Sequence, residues 1–173
     1  YSYTFVASDV DVVDTLTLAA STKPNWLTFN ATTGVLSGTP SNSDVGDHDI
    51  VLTATDGSNA VDTQSFTLTV TNTNDTPTIT STEVTGVNED AAYSYTFEAS
   101  DVDDGDTLTL AAPTKPSWLS FDTDTGVLSG TPTNSDVGDH SIVLTATDGS
   151  SVVDTQSFTL KVTNTNDVSV VTG

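Results

Sequence analysis

In the second half of the chain, apolar side chains recur at every other position within short runs, with serine, threonine or charged residues between them. Tyr93, Tyr95, Phe97 and Ala99 share one face of an extended segment, as do Ile142, Leu144 and Ala146, and again Phe158, Leu160 and Val162. A period of two marks a strand with one buried face. Glycine, proline, asparagine and aspartate punctuate the runs at the short intervals of an all-β sandwich. The pattern predicts seven strands: one within Thr78–Val87, then Tyr93–Ala99, Thr107–Ala111 with Leu108 and Leu110 inward, Trp118–Phe121, Val127–Ser129, His140–Thr147 and Val153–Val162. No window of helical period competes.

The same pattern opens the chain. Tyr1 aligns with Tyr93, Trp26 with Trp118, Asp56 with Asp148 and Asn72 with Asn164, always 92 positions apart, and 61 of the 75 positions in 1–75 match their counterparts in 93–167. A repeat this long, without helical pattern, predicts an array of whole domains rather than a solenoid. The expected organisation is a sandwich at 1–75, a complete one at 76–167, and at 168–173 a tail or the start of a following repeat. Thr76–Ala92 precedes the second copy alone, so the first is expected to lack its N-terminal strand. An unpaired edge would follow, open to edge-strand-mediated self-association, and the β-branched tail Val168–Gly173 of a neighbouring chain suits it.

Alternating strand directions send the loops to two poles. Asp101–Asp106, Asp122–Gly126 and Asp148–Ser151 are predicted at the top of the second copy. The turn with Asn88, Glu89 and Asp90, the loop Asn134–Asp139 and the tail Asn164–Asp167 are predicted at the bottom. Acidic residues therefore gather at both poles.

Charge sharpens this picture. Twenty-four acidic residues stand against three lysines, for a formal net charge of -21. Phosphate neutralisation needs Lys and Arg, so nucleic acid is excluded as a partner, and an anionic membrane surface is disfavoured by the same repulsion. Cysteine is absent, which removes disulfides, thiolate metal sites and cysteine nucleophiles. No apolar run approaches a membrane span, and no signal peptide opens the chain. Carboxylates this dense call for neutralising cations, and hard oxygen ligands suit Ca2+ better than zinc.

The strand order predicts one cation-binding region at the junction of the copies: Asp44 and Asp47 from the first, Asn72, Asn74 and Asp75 from the connecting segment, and Asp101, Asp103 and Asp148 from the second. Calcium takes carboxylate, amide and carbonyl oxygens, so the set is chemically sufficient. Ligands from both sides would stiffen the connection. The counterpart at the top of the first copy, Asp9, Asp11 and Asp56, is expected to be incomplete, and Glu89, Asp90, Asn164, Asn166 and Asp167 form only the lower half of a site.

Three strings here, Asp101-Val-Asp103, Ala146-Thr-Asp148-Gly149 and Thr71-Asn-Thr-Asn-Asp75, resemble the DxD, AxDxG and DxNDN elements of cadherin-type repeats. The string Trp118-Leu-Ser-Phe-Asp-Thr-Asp-Thr-Gly-Val-Leu-Ser-Gly-Thr-Pro132 resembles the signature of the dystroglycan-type cadherin-like repeats of large bacterial surface proteins, and is the more specific of the matches. The resemblance implies two tandem immunoglobulin/cadherin-like Greek-key β-sandwiches, and calcium at Asp101, Asp103, Asp148, Asn74 and Asp75. Asn72 stands where cadherins carry an acid, and the loop Asn134–Asp139 lacks their DRE triplet, so one or two ions are expected rather than three.

Other residues have plainer roles. Asp122 and Asp124 read as turn formers, because the first copy has Asn30 and Thr32 there yet keeps Gly34. Trp26 and Trp118 follow Lys-Pro turns between apolar neighbours and are expected to pack rather than to stack on sugars. His48 and His140, single and without a catalytic constellation, are expected at the surface. No nucleophile elbow or phosphate loop appears. The expected function is a non-catalytic adhesion or extender module of a secreted or cell-surface protein such as a bacterial adhesin, with other proteins or like domains as partners. Two alternatives remain open: a carbohydrate-binding module of a polysaccharide-degrading system, and a homophilic calcium-dependent interaction domain.

Overall fold

The computed structural model describes residues 1–11 and 15–166, and the chain divides into two compact units, Tyr1–Thr73 and Asn74–Gly173.

Unit 1 contains β1 (Ser2–Thr4), β2 (Thr17–Thr22), β3 (Leu27–Asn30), β4 (Val35–Gly38), β5 (Gly46–Thr55) and β6 (Val61–Val70), with a 3-10 turn at Asn42–Asp44. They form two antiparallel sheets, ordered β1-β4-β3 and β2-β5-β6. Leu27, Leu36, Ile50 and Leu52 are fully enclosed between the sheets, with Phe5 and Ala54 at the margin.

Unit 2 repeats this plan and adds to it. Its strands are β7 (Thr78–Ile79), β8 (Gly86–Asn88), β9 (Tyr93–Thr96), β10 (Ala99–Ser100), β11 (Thr109–Thr114), β12 (Leu119–Phe121), β13 (Val127–Gly130), β14 (Gly138–Thr147) and β15 (Val153–Thr163). One sheet runs β11-β14-β15-β8; β12-β13-β9 and the pair β10-β7 complete the strands. The inward positions expected from the alternation are those found: Tyr93, Tyr95, Phe97, Ile142, Leu144, Ala146 and Leu160 form the core, with Phe158 packed on it.

Three predicted strands differ in form, and the one expected over Tyr93–Ala99 is split into Tyr93–Thr96 and Ala99–Ser100. The one expected within Thr78–Val87 is not continuous, because Thr78–Ile79 pairs antiparallel with Ala99–Ser100, while Gly86–Asn88 lies parallel to Lys161–Thr163 in the other sheet. The chain thus passes from the β10-β7 pair to the edge of the four-stranded sheet. Hydrogen bonds hold the crossing: the Tyr93 hydroxyl donates to the Val84 carbonyl at 2.8 Å, and the Gln156 amide donates to the Ser81 carbonyl at 3.1 Å. The strand expected at Thr107–Ala111 instead spans Thr109–Thr114, with a register shift between Ala111 and Thr114. That irregularity, on a strand at the sheet edge, is what admits Pro113, which has no N–H for a ladder.

Turn chemistry follows the sequence closely. Asp122 Oδ1 accepts the Asp124 and Thr125 amides at 3.0 Å each, and Asn30 does the same for Thr32 and Thr33. Gly126 sits at φ +69°, and a Cβ there would lie 2.3 Å from the Phe97 carbonyl oxygen, so only glycine fits.

Candidate cation site

The loop after β10 folds back on itself before β11. The Asp103 amide donates to Asp101 Oδ1 at 2.9 Å, and the Asp106 amide donates to the Asp103 carbonyl at 3.2 Å. These turns bring Asp101 and Asp106 toward the β14–β15 connection. There Asp148 Oδ1 accepts the Ser150 and Val152 amides at 2.9 and 2.7 Å, which fixes its rotamer. Carboxylate oxygens of Asp101, Asp106 and Asp148 consequently lie within 4.8 Å of one another.

Two residues at the start of unit 2 close over this group. Asn74 Nδ2 donates to Asp148 Oδ2 at 2.8 Å, and the Asp75 amide donates to Asp103 Oδ2 at 2.7 Å. Asp103 and Asp148 are buried, and Asp101 Oδ2 is a buried oxygen with no hydrogen-bond partner among the described residues. An acceptor withdrawn from water and left unpartnered is costly, and a cation is the simplest means of satisfying it.

Electrostatics separate the carboxylates. Asp106, although its residue surface is exposed, has its pKa raised, first because surrounding protein displaces water from the carboxyl, then by the charges of Asp101, Asp148 and Asp103. Asp148 is lowered, chiefly by the Asn74 amide and, against partial desolvation, by the backbone amides of its own loop. Asp106 is the member of this carboxylate group that sequence reasoning left out. The signal was present in Asp103-Asp-Gly-Asp106, which differs from Asp11-Val-Val-Asp14 in the first copy.

The other predicted positions are distributed as follows. In unit 1 the Asp11 amide donates to Asp9 Oδ1, and Asp56 Oδ1 accepts the Ser58 and Ala60 amides, repeating the loop architecture of unit 2; Asp14 lies outside the described residues. Asp44 Oδ2 accepts the amide and hydroxyl of Ser41 at 2.8 and 2.7 Å, capping the 3-10 turn, and these bonds lower its pKa. Asp47 Oδ1 accepts the Thr69 hydroxyl at 2.6 Å, and Asn72 is exposed.

At the other pole of unit 2, Glu89 is 2% exposed: its Oε1 accepts the Thr165 amide, while Oε2 is buried without a partner among the described residues. Asp90 takes φ +62° and donates its amide to the Pro132 carbonyl, and Asn164 Nδ2 donates to the Thr165 carbonyl. The segment with Glu89 and Asp90 thus meets the tail, as the strand order predicts. Asn166 belongs to the same tail, whereas Asp167 and Val168–Gly173 lie outside the described residues.

Trp118 packs edge-on against Tyr93 and His140, with ring centroids 6.3 and 6.0 Å apart, and Trp26 meets His48 at 5.9 Å. The histidines are half-buried rather than at the surface. Each Nε2–H donates to a carbonyl of the neighbouring 3-10 turn, Asp44 or Asp136, at 2.6 Å, which draws the ring inward onto the tryptophan.

A family model described as "Putative Ig domain" matches residues 1–71 and again 76–163. The chain is 29% identical over 154 residues to the "Serine-rich adhesin for platelets" of Staphylococcus aureus (strain MRSA252), covering 86% of this chain and 11% of that protein. It therefore spans only about a tenth of that curated relative's length. Among solved structures it is similar to mouse cadherin-23 EC22-24 (TM-score 0.61, 20% identity, 87% of this chain and 53% of that one) and to human mucin-like protocadherin EC1-2 (TM-score 0.60, 19% identity, 88% and 85%). At these identities the likeness speaks to the fold alone.

Proposed function

Because the chain belongs to that Ig domain family through both of its units, we propose that it is a non-catalytic extracellular module of an adhesin-type surface protein, an extender whose stiffness depends on calcium. The adhesin relative supports the surface and adhesive setting. The observation that carries the calcium reading is the group Asp101, Asp106 and Asp148, closed over by Asn74 and Asp75, with Asp101 Oδ2 buried and unsatisfied.

The donor set fits a hard cation. Asp101, Asp103, Asp106 and Asp148 would supply carboxylate oxygens, and Asp75 a further one. A cation among them would favour the flipped amide of Asn74, turning Oδ1 inward where Nδ2 now donates to Asp148. Calcium accepts such a mixed oxygen set without strict geometry, whereas Mg2+ demands near-octahedral ligands and holds its waters. Bound calcium would relieve the carboxylate repulsion that, after desolvation, raises Asp106, and would order Asn74 and Asp75, which directly follow unit 1 in the chain. Glu89 offers the start of a second such site at the opposite pole.

Thermal melts in EDTA, in millimolar calcium and in millimolar magnesium test this. A ligand that binds only the native state raises stability by about 2.7 kcal/mol at a hundred times its Kd. A rise in the midpoint specific to calcium is expected, and it should disappear in Asp101→Asn. Equal midpoints in EDTA and calcium would remove the cation role and leave these aspartates as turn residues.

A further inference from the structure

An aspartate followed by glycine is open to a spontaneous rearrangement of the backbone, because glycine carries no side chain to shield its amide nitrogen from the neighbouring carboxyl group. The chain contains three such pairs, Asp56-Gly57, Asp104-Gly105 and Asp148-Gly149, and the structure treats them differently.

Two of the pairs are held in place. Asp56 Oδ1 accepts the Ser58 and Ala60 amides at 2.9 and 2.8 Å. Asp148 is buried, with Oδ1 occupied by the Ser150 and Val152 amides and Oδ2 by the Asn74 side chain. The Gly149 amide is itself engaged, donating to the Asp106 carboxylate. To react, either aspartate must give up the bonds that shape its loop. The third pair has no such restraint. Asp104 and Gly105 are both exposed, and among the described residues neither the Asp104 carboxylate nor the Gly105 amide has a hydrogen-bond partner. They are the two central residues of the turn closed by the Asp106 amide on the Asp103 carbonyl at 3.2 Å. Gly105 has φ +87°, as the third residue of a type II turn requires, and nothing lies within 4 Å of an added Cβ, so the peptide has room to rotate.

We propose that Asp104-Gly105 is a site of isoaspartate formation, singled out from three like pairs by its lack of restraining hydrogen bonds. The Gly105 nitrogen attacks Cγ of Asp104; the N–Cγ bond forms, and the amide proton leaves with the carboxyl hydroxyl as water. Water then opens the resulting succinimide. Opening at the α-carbonyl leaves the chain running through the former side chain, longer by one methylene carbon, with the α-carboxylate as a branch. No oxidant or reductant takes part. A turn that closes across these two residues cannot keep its bond with the extra carbon inside it, so Asp106 is released from its place beside Asp101 and Asp148. The change dismantles that carboxylate group without cutting the chain, and it does so whether or not the group holds calcium.

The test is to age the full chain for weeks in EDTA at physiological temperature and pH, then to locate isoaspartate by fragment-ion mass spectrometry. Methylation by an isoaspartate-specific carboxyl methyltransferase with labelled S-adenosylmethionine gives an independent readout. Isoaspartate should accumulate at Asp104 at least about tenfold faster than at Asp56 or Asp148, the factor set by the paired amide bonds that must break at those two sites. The modified fraction should show faster amide exchange at Asp106. In urea the loop bonds are gone, so the three rates should converge. Gly105→Ala, which shields the nitrogen, should slow the conversion severalfold. Equal rates in the folded chain, a difference that persists in urea, or no isoaspartate at Asp104 would overturn the proposal.

Discussion

The side chain of Asn74 reaches Asp148, 74 residues further on, with its amide nitrogen 2.8 Å from Oδ2. The first residue of unit 2 is thereby fastened to the loop that carries the candidate cation ligands, and three substitutions there separate structure from metal binding.

Replacing Asn74 by Ala removes the donor that does most to hold Asp148 ionised. The melt in EDTA should shift down by a few degrees, and calcium should restore less than it gives the parent chain. Asn74→Asp adds a carboxylate instead, so its EDTA melt should fall further while its calcium melt recovers to the parent value. Identical behaviour of Asn74→Asp in both solutions would show that the residue is only a structural tie.

Acid should act on the carboxylates in opposite senses. Asp148 has a depressed pKa in the folded chain, so its contribution is present above the unfolded carboxylate value and is lost as pH falls through its lower folded value. Asp122 and Asp136, lowered by local amide and hydroxyl donors, follow the same sign. Asp106 is raised, so the folded state binds its proton more readily; its cost to stability is full above the folded pKa and diminishes as pH falls through that value toward the lower unfolded one. As pH falls, calcium affinity should therefore be lost first through protonation of Asp106, whose pKa is raised, ahead of Asp148, whose pKa is lowered. Asp106→Asn should raise the EDTA melt at neutral pH while weakening the calcium response; a lowered EDTA melt would contradict the assigned repulsion.

Two glycines with similar backbone angles should respond differently to alanine. Gly105 has φ +87° with nothing within 4 Å of an added Cβ, so Gly105→Ala should cost only the left-handed conformation, about 1–2 kcal/mol. At Gly126 the same methyl would press on the Phe97 carbonyl and disturb the 2.9 Å bond from the Phe97 amide to Gly126. Denaturant unfolding should place Gly126→Ala at no less than twice the cost of Gly105→Ala. Equal costs would mean that the backbone at Phe97 yields freely.

The tryptophans give a direct test against carbohydrate recognition. Trp118 packs edge-on between Tyr93 and His140, and its indole nitrogen is buried. Titration with soluble oligosaccharides should leave tryptophan emission unchanged, while Trp118→Ala should destabilise unit 2 by about 3 kcal/mol. A saturable sugar-induced shift would favour the binding-module alternative.

Much of this was legible from the alternation and the repeat. Core positions such as Ile142, Leu144 and Leu160 follow from the period of two, because a half-buried strand leaves no other face for them. The loops that gather Asp101 with Asp148 follow from strand direction alone. Hidden from the sequence were features set by tertiary contact. The crossing of Thr78–Asn88 between sheets depends on where Tyr93 and Gln156 point. The half-burial of His140 depends on a carbonyl in the adjoining 3-10 turn, and the entry of Asp106 into the cluster depends on the tightness of the turn from Asp103.

The parallel seating of β8 against β15 has a mechanical meaning for a module held between its two ends. Tension enters near Asn74 and leaves beyond Thr163, so it slides Gly86–Asn88 along Lys161–Thr163 instead of peeling them apart. Bonds across that short ladder, including Lys161 to Thr85 and Glu89 to Thr163, share the load at the same moment. Forced unfolding is governed by the rate of crossing the barrier rather than by equilibrium stability. In a domain pulled from its two ends, three residues clamped in shear should therefore give more resistance than their small share of its buried surface suggests.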